Sequence, residues 1–115
     1  MNLDLPLVDV ELIKEMLYQE EAYVKEFAAA SVQSFSEFQN SFRDFVLARD
    51  MDNLRRAGHK IKPAALMLHL NPIIDMYEKS KQQLEDNAST EELKKLVSSM
   101  DEYCDQVLSE LKEII

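Results

Sequence analysis

A chain of 115 residues, 46% of them hydrophobic, suits one domain with its own core, and a net charge of −9 argues against nucleic acid and anionic membranes as partners. One glycine and three prolines leave too few turn residues for a sheet or sandwich, so an all-α fold is expected. No apolar run approaches the ~20 residues of a membrane span, residues 1–6 lack the features of a signal peptide, and the one cysteine, Cys104, has no internal disulfide partner; the expected setting is the reducing cytoplasm.

Asp9 is placed as the N-cap of a first short helix carrying Leu12, Ile13, Met16 and Leu17. Between Tyr18 and Glu21 neither Gly nor Pro marks a boundary, so the pattern leaves a break there open. A long helix then runs to near Arg49. Its apolar stripe is Val24, Phe27, Phe35, Phe38, Phe42 and Phe45, interrupted by Ser31 and Ser34, and the phenylalanines read as core. Asp50 can cap a third helix whose inward positions are Leu54, Ala57 or Gly58, Ile61, Ala65 and Leu68. Asn71 and Pro72 restart the chain, with Asn as N-cap and Pro at the first helical position. The fourth helix should bury Ile73, Ile74, Tyr77 and Leu84. Ser89 and Glu92 form a capping-box pattern before a last helix striped by Leu93, Leu96, Val97, Met100, Tyr103, Cys104, Val107, Leu111 and Ile114. Cys104 on that stripe reads as a small buried residue, not a reactive thiol. The expected architecture is an antiparallel four-helix bundle with an additional short N-terminal helix, residues 1–115 making one domain.

The charge is uneven. From Asn53 to Ile74 there are Arg55, Arg56, Lys60 and Lys62 and no acid. On its own such a cluster is equally a solvated helix face. His59 lies within it, about 200° round the helix from Ala57 and from Ile61, and so points outward. Arg55 and Arg56 lie one turn before it, Lys62 and Pro63 one turn after, and Leu66 two turns after. Cations around an imidazole disfavour its protonated form and leave it nucleophilic, and they favour a phosphoryl group once it is attached. A metal site would need further His or carboxylate ligands nearby, so none is expected here.

Residues 57–65 (AGHKIKPAA) resemble the core motif of histidine phosphotransfer (HPt) domains, which runs His, any residue, an aliphatic, Lys, Gly and two small residues. His59, Ile61, Lys62, Ala64 and Ala65 match. The stretch 42–54 also resembles that family's long helix followed by an Asp-led turn. The helix pattern covers nearly the whole chain and the specific motif about nine residues. Two positions depart from the family. Pro63 replaces its glycine, removing a backbone bond to the His59 carbonyl, and is expected to bend the helix. His69 stands where many members carry a second glycine near the helix end; it lacks flanking cations and reads as a helix-end residue.

The resemblance implies a phosphorelay carrier. A receiver domain of a response regulator or hybrid histidine kinase brings a phospho-aspartate and its own Mg²⁺. His59 attacks the phosphorus, and Lys62 stabilises the phosphoryl oxygens. Arg55, Arg56, Pro63 and Leu66 would contact the partner. No cofactor of the chain's own is implied, and the absence of a glycine-rich nucleotide loop implies no ATP-dependent kinase activity. A monomer is expected. Two other readings stand beside this one. The dimerising hairpin of a sensor histidine kinase has an acid after its histidine, where this chain has Lys60, and a later proline. A helical adaptor would bind through the same surface without chemistry.

Overall fold

The computed structural model describes residues 6–115; the reading of residues 1–5 as lacking a signal lies outside them. Five helices and, among the described residues, no strand make up the fold: α1 (Val10–Met16), α2 (Glu21–Leu47), α3 (Met51–Met67), α4 (Asn71–Glu85) and α5 (Thr90–Ile114). No helix among the described residues is long and apolar enough to cross a membrane.

Three helix starts are the ones read from sequence. Asp9 accepts the Leu12 N–H, Asp50 accepts the Asn53 N–H, and the Ser89 hydroxyl accepts the Glu92 N–H at 3.2 Å. Each satisfies one of the orphan donors of a first turn. The start of α4 differs. Leu70, not Asn71, occupies the N-cap, and Asn71 is already helical, with Pro72 in the first turn. Leu70 is fully buried. Burying a leucine is worth about 1.5–3 kcal/mol, whereas a side-chain cap contributes about 1 kcal/mol, so packing sets the boundary.

The helix ends show how a chain with one glycine turns four times. Tyr18 and Gln19, Arg49, His69 and Asn87 all have left-handed φ, from 55° to 62°. Each turn closes with a paired C-terminal motif: at the end of α3, the His69 N–H bonds the Leu66 carbonyl at 3.2 Å and the Leu70 N–H bonds the Ala65 carbonyl at 2.8 Å. The same pair closes α1, α2 and α4. A side-chain-bearing residue in this conformation costs roughly 1–2 kcal/mol, which the recovered carbonyl bonds and the packing of the joined helices offset. The open break after α1 falls at Tyr18 and Gln19.

α2 packs on α5 and α3, α4 packs on α3 and α5, and α1 lies on α2. One hydrophobic cluster draws on all five helices. On α2 the buried line is Val24, Ala28, Ser31, Phe35, Phe38, Phe42 and Val46, a step of three or four throughout. Ser31 is thus part of the stripe rather than an interruption, while Phe27 and Phe45 are half-buried at its margins. Gln39 crosses to α5, its amide donating to Asp105 at 2.8 Å and Asp101 at 3.2 Å. Cys104 is wholly buried, and burial pushes its thiol up to about 12, with Asp101 and Asp105 adding to the effect. α3 buries Leu54, Gly58, Ile61 and Ala65, so Gly58 rather than Ala57 holds the inward position. The helix continues through Pro63 to Met67. On α4, Ile73, Tyr77 and Ser80 are buried, and Ile74 and Leu84 are half-buried.

Candidate functional site

The inward line of α3 determines what its other side presents. Leu54, Gly58, Ile61 and Ala65 point into the protein; Arg55, Arg56, His59, Lys60, Lys62, Pro63 and Leu66 are all exposed. Gly58 lets α4 come close. A Cβ added there would overlap the Tyr77 ring, lying 2.6 Å from Cε2 and nearer still to two other ring carbons. The Tyr77 ring therefore lies against bare backbone, one residue from His59. Its hydroxyl donates to the Arg55 carbonyl at 3.4 Å, a long bond that ties the ring's tip to the first turns of α3.

Between α3 and α4 this leaves an open groove of about 660 Å³. From α3 it is lined by Arg55, Arg56, His59, Lys60 and Lys62, and from α4 by Tyr77, Glu78 and Lys81. Five cations thus share one groove with the imidazole. Arg55 reaches Glu85 at 3.7 Å and Lys60 reaches Glu37 at 3.6 Å. Both pairs are exposed and long, and such pairs contribute little. Among the described residues Lys62 and Arg56 make no ion pair within 4 Å. Arg56 acts at longer range: the Asp50 carboxyl is held below its ordinary value chiefly by the Asn53 side chain and N–H, and to a lesser degree by the Arg56 charge. Lys81 sits over the Tyr77 ring, 4.6 Å from its centroid, with its ammonium 3.2 Å from Glu78.

The structure thus brings His59, Lys62, Arg55 and Arg56 to one groove. Pro63 and Leu66 lie outside its lining, on the exposed surface farther along α3. Leu66 and its neighbour Met67 are 50% and 47% exposed, an apolar area about two turns from His59. His69 is exposed in the turn after α3 and does not line the groove. Sequence reasoning missed Glu78 and Lys81 as members of the site and read Tyr77 only as core. The available signals were a lone glycine inside a helix, which marks close approach by another element, and the four-residue spacing of Tyr77 and Lys81.

A second cavity, of about 610 Å³, lies where α1, α2 and α5 meet and is lined by Val8, Val24, Lys14 and Glu110, among others. Of the carboxylates that line it, Glu21, Glu110 and Glu113, Glu110 is already engaged: it accepts the Leu7 N–H at 2.9 Å, the Val8 N–H at 2.7 Å and the Gln106 amide at 3.0 Å. That arrangement fastens the N-terminal segment to α5. Among the described residues no group of three His, Cys, Asp or Glu side chains is placed to hold a metal ion. Comparison with family models, with curated proteins and with solved structures gave no match.

Proposed function

We propose that the chain is a histidine phosphotransfer protein in which His59 accepts a phosphoryl group from the phospho-aspartate of a receiver domain and returns it to a second receiver. The observation that carries this reading is the position of His59, exposed on a groove that also holds Arg55, Arg56, Lys60, Lys62 and Lys81. An exposed imidazole is accessible for in-line attack, and the cations around it match the charge of the group it would carry. The 57–65 motif supports the same reading.

In the transfer, a lone pair on one His59 ring nitrogen attacks phosphorus. The bond from phosphorus to the aspartate oxygen breaks, and its electron pair leaves with the carboxylate. The other ring nitrogen keeps its proton until solvent removes it. The transition state is loose, so positioning and charge stabilisation do most of the work. Lys62 supplies one charge-assisted contact to the phosphoryl oxygens, and Arg55 and Arg56 steer the acidic mouth of the receiver. The partner's Mg²⁺ belongs to the receiver and is needed to release its phosphoryl group. The exposed Leu66 and Met67 offer the receiver an apolar contact beyond Pro63. The packing of α2 with α3 and α5, and of α4 with α3 and α5, supports an antiparallel four-helix bundle, which we propose acts as a monomer in the cytoplasm.

The test is transfer from a receiver charged with radiolabelled phosphate. Label should appear on the chain, be lost in acid and kept in base, and be absent from His59→Gln. A chain that binds receivers but never takes label would be an adaptor using the Leu66 and Met67 surface. A dimer in light scattering would favour a kinase hairpin.

A further inference from the structure

The α4 wall of the groove carries a cation with no place in the sequence motif. Lys81 is only 24% exposed in its side chain, well covered for a lysine. Its ammonium lies over the Tyr77 ring, 4.6 Å from the centroid, and that ring rests on Gly58, the residue before His59. The ammonium is also 3.2 Å from Glu78, one turn earlier on the same helix. Both Lys81 and His59 line the same groove.

We propose that Lys81 is a second phosphoryl-binding residue, held in reserve by Glu78 and passed to the phosphoryl group when His59 is charged. This rests on the phosphotransfer reading above and adds to it a ligand from the opposite helix. Three physical points support it. First, Glu78 is 53% exposed, and a pair between neighbours on one helix with a solvated carboxylate contributes little, so it releases its partner readily. Second, a phosphoryl group carries about −1.5 to −2 charges and three acceptor oxygens, against one charge on the carboxylate, so it outcompetes Glu78 for the ammonium. Third, contacts with the Tyr77 ring and Glu78 already confine the lysine to the groove, so less rotamer entropy is lost on binding than for a free surface lysine. Lys62 and Lys81 would then hold the phosphoryl group from the α3 and α4 sides respectively.

The effect falls on the charged state of His59, so it is read as an equilibrium. A receiver and the chain are mixed with limiting label, and the partition between phospho-aspartate and phosphohistidine is measured. In Lys81→Met, which keeps an unbranched apolar side chain without the charge, the partition should shift toward the receiver by about tenfold, the lower end for one charge-assisted contact. In Glu78→Gln, which frees the ammonium, it should shift toward His59 by about two- to threefold, the value of a weak surface pair. Lys81→Arg should restore most of the loss. Opposite signs at positions 81 and 78 are not what structural damage produces. If the parent chain takes no label at His59, the phosphotransfer reading itself fails. If the parent is labelled and both variants partition as it does, transfer stands and Lys81 has no part in it.

Discussion

Gly58→Ala isolates the contact that sets α3 against α4. In an exposed helix interior this change stabilises, by about 1 kcal/mol, because alanine is the better helix former. Here the new Cβ would overlap the Tyr77 ring at three carbons. Tyr77 is 7% exposed and its hydroxyl bonds the Arg55 carbonyl, so the ring can yield only by giving up that packing, toward the groove it lines. Either the two helices separate or the ring is expelled. Losing a buried aromatic costs about 3–5 kcal/mol. Taking the lower figure and subtracting the helix gain leaves a net loss of about 2 kcal/mol. For a chain of this size each kcal/mol moves Tm by about 4 °C, so the melting point should fall by about 8 °C.

The assay is thermal and urea unfolding of four proteins: parent, Gly58→Ala, Tyr77→Ala and the double variant. Without the ring, Gly58→Ala should revert to its ordinary behaviour and raise stability by about 1 kcal/mol, giving a coupling of about 3 kcal/mol between the two positions. A Gly58→Ala protein that melts at or above the parent temperature would refute the close packing of Tyr77 on α3, and with it the geometry of the groove beside His59.

His59→Gln should keep the parent's circular dichroism and take no label from a charged receiver, whereas His69→Gln should be labelled at the parent rate. Lys62→Ala should change stability by no more than about 0.5 kcal/mol, being exposed and unpaired within 4 Å among the described residues, and should slow transfer by about tenfold to a hundredfold in quench-flow. His69→Gly should raise stability by about 0.5–1 kcal/mol in urea unfolding, since His69 has φ 58° and relief of the left-handed strain exceeds the added freedom of the unfolded chain. Cys104 should resist thiol reagents in the native protein and react only as it unfolds, because the thiol is buried and its ionisation is pushed up to about 12; rapid native labelling would show α5 to open there.

The helices were legible because amphipathic spacing is a local signal. Leu54, Ile61 and Ala65, or Leu93 through Leu111, can be placed inward without knowing what they touch. Asp9, Asp50 and Ser89 were legible for the same reason: a cap bonds a residue three positions away. The helix ends were not. Turns are read from glycine, and here Tyr18, Gln19, Arg49, His69 and Asn87 adopt glycine's conformation, held there by the packing of the helices they join rather than by their own preference. Leu70 took the cap from Asn71 on the same grounds. Of the site, the α3 half could be read because one helix face orders Arg55, Arg56, His59 and Lys62 by number alone. The α4 half depends on which helix lies alongside, and that is a tertiary fact. Only the lone glycine hinted at it.

The division of labour in the groove comes from this packing. In the proposed transfer the nucleophile would sit on a braced helix: the inward line of α3 packs Leu54, Ile61 and Ala65 in the core and seats the Tyr77 ring on Gly58. A rotation of α3 that moved His59 would pull these buried side chains out of the core and bring a Cβ-bearing neighbour of Gly58 against the Tyr77 ring, so the inward contacts fix the imidazole's direction. The cations are arranged in the opposite way. Arg55, Arg56, Lys60 and Lys62 are exposed on long, flexible side chains, with surface partners that are weak or lacking within 4 Å among the described residues. The proposed in-line transfer would demand a fixed attacking atom, while the phosphoryl oxygens would take different positions as the group passed between partners, and flexible ammonium and guanidinium groups could track them. Lys81 lies between the two regimes, largely covered, with its ammonium over the Tyr77 ring and 3.2 Å from Glu78. Stiffening the cations would therefore help one partner geometry and hinder the next, whereas loosening Gly58 and Tyr77 would harm every transfer alike.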